Sequence, residues 1–185
     1  MNVRAYSVMI WESWYWKKPL LEMADRLREF KVTANLNDER LAQIERDIFI
    51  GFYSVRKLIE TITKVTDATK SMQVQVGWHP NQKHVNWRNN HKLDELYDLN
   101  TLNKEIRGIV FVCGRIIHSF IFTPVMDDSG LAAILFTSDT DKQKKLYSLE
   151  VDNIIQIFER VGNDDPTEII WQRDPTTGEE RTLVK

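Results

Sequence analysis

A chain of 185 residues with 42% hydrophobic, 28% charged and 10% aromatic residues suits one folded domain, 1–185, and excludes a disordered polymer. The formal net charge of −2 lacks the basic excess by which nucleic-acid and acidic-membrane binders usually announce themselves, so any anion-binding surface must be local. The single cysteine, Cys113, excludes an internal disulfide and fits a reducing, cytoplasmic setting.

The first sixteen residues carry Trp11, Trp14, Tyr15 and Trp16 without a period that chooses between helix and strand. Glu12 interrupts this apolar stretch and no small-residue cleavage site follows, so no secretory leader is expected. Pro19 suits the first turn of a helix, and Leu20, Met23, Ala24, Leu27 and Phe30 then share one stripe, predicting a helix over 19–30. A second helix is expected from Asn37 or Asp38, either able to cap it, to about Thr66. Its stripe is Leu41, Ile44, Ile48, Phe52, Val55, Ile59 and Ile62, widened by Phe49 and Tyr53, which predicts packing against two neighbours.

Met72, Val74 and Val76 alternate with glutamines as a short strand ended by Gly77. The stretch 77–92 that follows has no acidic residue but holds three histidines, two tryptophans, Lys83, Arg88 and Lys92. It reads as a loop. A short helix is expected over 92–97, and the spacing of Leu102, Ile106, Ile109, Cys113, Ile116 and Phe120 then predicts a long core helix over 101–122. Beyond Ser119 the pattern turns to strands: a hairpin of 120–125 with 131–137 about Asp127–Gly130, a third strand over 146–150, a helix over 152–161 stopped by Gly162, and a last hairpin about 174–178. Helices first and most strands later predict an α+β fold, a helical bundle of three to five helices packed on a small antiparallel sheet built from C-terminal hairpins. No apolar run reaches the roughly 18 residues of a membrane span.

Two constellations carry chemistry. Steps of three or four place Lys104, Arg107, Phe111, Arg115 and His118 in a row on the polar side of the predicted long helix, with Gly114 leaving room for a phosphate or a backbone. Arginine forks suit phosphate and an aromatic ring between them suits a base, while the plain alternative is a solvated or salt-bridged face. The second constellation is the 77–92 stretch, with Trp78 and Trp87 as stacking platforms and His79, Lys83, His84, Arg88 and His91 around them.

With His118, the three histidines of that stretch match no compact metal-binding spacing, so no metal is assigned. No Gly-rich phosphate loop and no other cofactor or nucleophile motif occurs, and no cofactor is expected. The leading expectation is an intracellular binding protein whose partner is anionic, a nucleic acid or another phosphate-bearing molecule. One alternative is a metal-independent ribonuclease-like enzyme, with His118 as acid or base and Arg107 and Arg115 stabilising charge on phosphate. The other is a structural subunit whose exposed aromatics meet another copy of the chain.

Overall fold

The computed structural model describes residues 12–185. Helix α1 (Trp14–Lys31) buries Leu20, Met23, Ala24, Leu27 and Phe30, the stripe its sequence predicts. It begins more than a turn before Pro19, which removes only the bond to Tyr15, a residue 77% exposed to water. Trp14 to Trp16 are therefore helical, and residues 1–11 lie outside the described residues.

Helix α2 (Asp38–Glu60) opens where the Asn37 side chain accepts from the Arg40 N–H at 3.0 Å. It ends six residues short of the expected Thr66. The β-branched run Thr61–Ile62–Thr63 breaks it, Thr63 takes a left-handed φ of 72°, and Thr66 caps the separate turn α3 (Asp67–Lys70). Asp47 ties α2 to α1: buried, it accepts from Arg26 Nε and Nη2 at 2.8 and 2.9 Å and from Gln43 Nε2 at 2.7 Å.

Strand β1 (Gln73–Pro80), the turn α4 (Leu93–Leu96), β2 (Asn103–Gly108), α5 (Ile109–Ile117), β3 (Ser119–Met126), β4 (Leu131–Ser138), β5 (Lys145–Glu150) and α6 (Val151–Gly162) follow. The five strands form one antiparallel sheet in the order β2-β1-β5-β4-β3, and β6 (Ile169–Arg173) with β7 (Glu180–Val184) forms a separate hairpin. The fold is α+β, with an antiparallel sheet and a C-terminal hairpin as expected, although β1 and β2 supply two strands from earlier in the chain. Among the described residues, four helices of nine residues or more are joined by two single turns.

The main core lies between the helices and one sheet face, where Val74, Val76, Ile134, Phe136, Tyr147 and Leu149 meet α1, α2, α5 and α6. Phe52 packs edge-on against Phe158 of α6 at 5.3 Å, and Phe49 reaches Phe122 of β3 at 4.7 Å, so α2 meets several neighbours. On the opposite sheet face Ile121, Leu135 and Leu146 join Val85, Leu96 and Tyr97 of the segment between β1 and β2 as a second, smaller core. Among the described residues no helix is long and apolar enough to cross a membrane.

The long helix expected over 101–122 is a strand, a helix and the start of a second strand. Gly108, extended at φ −64° and ψ 147°, closes β2 and opens α5, and His118 caps α5 one residue before β3. Only Ile109, Val112, Cys113 and Ile116 form its buried stripe, while Leu102 and Ile106 are 52% and 69% exposed. The single row from Lys104 to His118 therefore does not exist. The stretch 77–92 is likewise only partly a loop, since Gly77 to Pro80 complete β1.

Candidate functional site

Antiparallel register gathers most of the sequence-predicted residues at one end of the sheet. Pro80 of β1 stands opposite Lys145 of β5, Phe136 of β4 opposite Tyr147, and Ser119 of β3 opposite Ser138. The segment after Pro80, the 139–144 turn and the C-terminal end of α5 therefore share this end.

Two of the row's cations still meet around its aromatic. The Arg107 guanidinium, from β2, and that of Arg115, one turn along α5, lie over the Phe111 ring at 4.9 and 4.7 Å from its centre. Phe111 packs edge-on against Tyr147 at 5.8 Å, and Lys145 sits over Trp78 at 4.2 Å. Two carboxylates serve these three cations. Arg107 Nε donates to Glu105 at 2.9 Å, Lys145 Nζ donates to the same carboxylate at 2.6 Å, and Arg115 Nε stands 2.5 Å from Asp141.

Burial pushes Glu105 up, but the hydrogen bonds from Arg107 and Lys145 outweigh it and hold its carboxyl below the ordinary value. Burial, with the charges of Asp141 and Glu105, pushes the Tyr147 hydroxyl up to about 12. This is a salt-bridged, aromatic-lined network, the plain alternative to a free anion site.

The other members of the row go elsewhere. Lys104 lies on the sheet face opposite Val74 and Val76, lining a groove of about 170 Å³ with Gln75, Ser148, Glu150 and Asn153. His118 is exposed at the end of α5. The space expected beside Gly114 is taken by Arg56, whose Nη1 would stand 3.3 Å from an added Cβ.

The segment after β1 behaves differently. His79 is buried, its Nδ1 3.0 Å from the Thr101 carbonyl oxygen, and Trp78 is packed against the main core, so neither is a surface group for a ligand. Beyond Asn81 the chain is braced. Buried Val85 exchanges both backbone bonds with the Gln143 side chain at 3.0 and 2.6 Å, the Asn89 side chain accepts from Asn86 N–H at 2.8 Å and donates to the His84 carbonyl at 2.9 Å, and Asn86 Oδ1 accepts from Arg88 N–H at 2.8 Å. Asparagine side chains that bond the nearby backbone in this way stand in for a backbone turn.

This brace presents Trp87, 73% exposed, with the Arg88 guanidinium over its ring at 5.0 Å from the centre. Lys83, His84 and His91 are exposed on the same segment, and Lys83 and Lys92 share the one carboxylate of Glu95, at 3.9 and 3.3 Å. Among the described residues no three histidine, cysteine or acidic side chains come together as a cation site.

Sequence reasoning missed Glu105, Asp141, Lys145 and Tyr147. An acid two residues before Arg107 on a strand was the available signal, since i and i+2 share a strand face. No protein-family model, curated protein or solved structure matches the chain.

Proposed function

We propose that this chain is a binding protein for a single-stranded, phosphate-bearing partner, a nucleic acid in the first instance, gripped at the Trp87–Arg88 turn. The observation that carries the reading is Trp87, a tryptophan 73% exposed on a turn braced from within. A ring carried on a braced backbone turn leaves less backbone freedom to lose when a base stacks on it, and its face accepts any base. Arg88, already over the ring, can shift to a phosphate or add to the stack, and Lys83 and Lys92 outnumber the single Glu95 they share.

The contrast with the Arg107–Phe111–Arg115 network supports this choice of surface. There Glu105 and Asp141 already engage both arginines and Lys145, so an arriving phosphate must displace a carboxylate, whereas the acid-free run 77–92 sets positive charge beside an open ring.

The test is fluorescence anisotropy of a labelled single-stranded RNA or DNA of about a dozen nucleotides across a salt series. Binding should weaken with salt at a logarithmic slope of about −1.5 to −2, as expected for two to three phosphate contacts. Trp87→Ala should weaken it on the order of 5- to 150-fold, the range for loss of one stacked base. No binding at low salt, or binding unchanged in Trp87→Ala, refutes the reading.

A further inference from the structure

Strand β2 ends the sheet, with β1 on one side and no strand on its other side among the described residues. The Ile109 N–H donates to the directly opposite Met72 carbonyl at 3.0 Å, which fixes the phase of the β2–β1 ladder. Residues 103, 105 and 107 therefore exchange their backbone bonds with β1, and the N–H and C=O groups of Lys104 and Ile106, with the N–H of Gly108, whose C=O opens α5, point out from the open edge. Along that edge Ile106 is 69% exposed, with Leu102 and Val110 flanking it at 52% and 42%. An apolar edge with unpaired backbone is a template for another strand.

We propose that the strand it takes is β2 of a second copy of this chain, antiparallel and related by a two-fold axis through Ile106. Only residues 104, 106 and 108 have outward backbone groups, so an antiparallel self-pair must match members of this set. Three symmetric registers match at least two of these residues. Pairing Lys104 with Ile106 sets Glu105 against Glu105, and pairing Ile106 with Gly108 sets Arg107 against Arg107; both place like charges directly opposite.

Pairing Ile106 with Ile106 of the second copy sets Glu105 against Arg107 twice and Lys104 against Gly108 twice. The Glu105–Arg107 positions fall in non-hydrogen-bonded pairs, where side chains approach most closely. The charge pattern of one strand thus selects one register, and the same alignment carries Leu102 toward the start of α5 in the second copy, where Val110 is exposed. The product is a continuous ten-stranded sheet, doubling the five strands of each chain.

The test measures mass in solution by analytical ultracentrifugation, with far-ultraviolet circular dichroism to confirm folding. The parent chain should dimerise at concentrations up to on the order of 100 µM. Glu105→Arg and Arg107→Glu should each raise the dissociation constant on the order of tenfold or more, because two like-charge contacts appear per dimer. An equimolar mixture of these two variants should restore dimers, since each then faces its opposite. Ile106→Pro, which removes an outward N–H that β1 does not use, should leave a folded monomer. A parent chain that is a strict monomer overturns the proposal. So does a dimer that survives Ile106→Pro, or a mixture of folded charge variants that stays monomeric.

Discussion

Replacing Gly51 by alanine should destabilise the protein, although the same change in a free helix interior stabilises it by about 1 kcal/mol. Gly51 lies in the middle of α2, where a Cβ would stand 2.2 Å from Phe158 Cζ, 2.6 Å from Cε2 and 2.9 Å from Cε1. Carbon atoms in contact prefer about 3.5–4.0 Å, so the ring must retreat by more than about 1 Å. It has little room, since Phe158 is fully buried and edge-on to Phe52 at 5.3 Å. Overpacking of a closed core costs about 1–3 kcal/mol, and an overlap this deep belongs at the upper end. Setting about 3 against the propensity gain of about 1 leaves a loss of about 2 kcal/mol, or about 4–8 °C in Tm for a chain of this size. Thermal unfolding followed by circular dichroism reads this directly. Phe158→Leu removes the ring atoms that clash, so the double variant should lose less than the sum of the two single changes. A Gly51→Ala protein with unchanged or higher Tm refutes the packing of α2 on α6 described above.

Two further expectations follow from burial. Cys113 is fully buried and its thiol is pushed up to about 12 by that burial, so a thiol reagent at neutral pH should label none of it in the folded chain and one equivalent per chain in denaturant. Fast labelling of the native protein would contradict the placement of α5. The Tyr147 hydroxyl, raised to about 12 against an ordinary 10.0, is neutral in the folded state where the unfolded chain already ionises. Its contribution to stability is therefore complete below pH 10 and is lost as the pH rises from 10 to about 12. Tyr147→Phe should flatten denaturant-measured stability across that window, and an unchanged slope would count against the buried hydroxyl.

How far the fold could be read from the sequence is clearest at its one large error. From Leu102 to Phe120 apolar residues recur every three or four positions, yet that period joins exposed edge residues Leu102 and Ile106 to the buried stripe of α5. Charges on both faces of β2 hide its two-residue alternation: Lys104 with Ile106 on one side, Glu105 with Arg107 on the other. No turn residue marks the passage into β3, where His118 alone intervenes. By contrast α1 was legible from its apolar stripe, and α2 and the β3–β4 hairpin because caps or turn residues fix at least one end: Asn37 for α2, and Asp127 with Gly130 for the hairpin.

The candidate site divides the same way. Trp87 and Arg88 could be found from an acid-free, aromatic stretch alone, whereas Asp141 and Glu105, which neutralise the arginines around Phe111, are brought in by strand pairing and by the 139–144 turn. Spacing along the chain gives cations a row but says nothing of the carboxylates that tertiary structure sets beside them.

The most direct test of the Trp87 turn is a two-dimensional 1H–15N NMR titration with a short single-stranded oligonucleotide, the Trp87 indole N–H being assigned by its loss in Trp87→Phe. The indole signal of Trp87 and the amides of 86–90 should move together and saturate, while those of Trp78 and α5 stay in place. Shifts centred on Phe111 and Arg115 instead, or no shifts at low salt, would contradict the assignment of this turn as the binding surface.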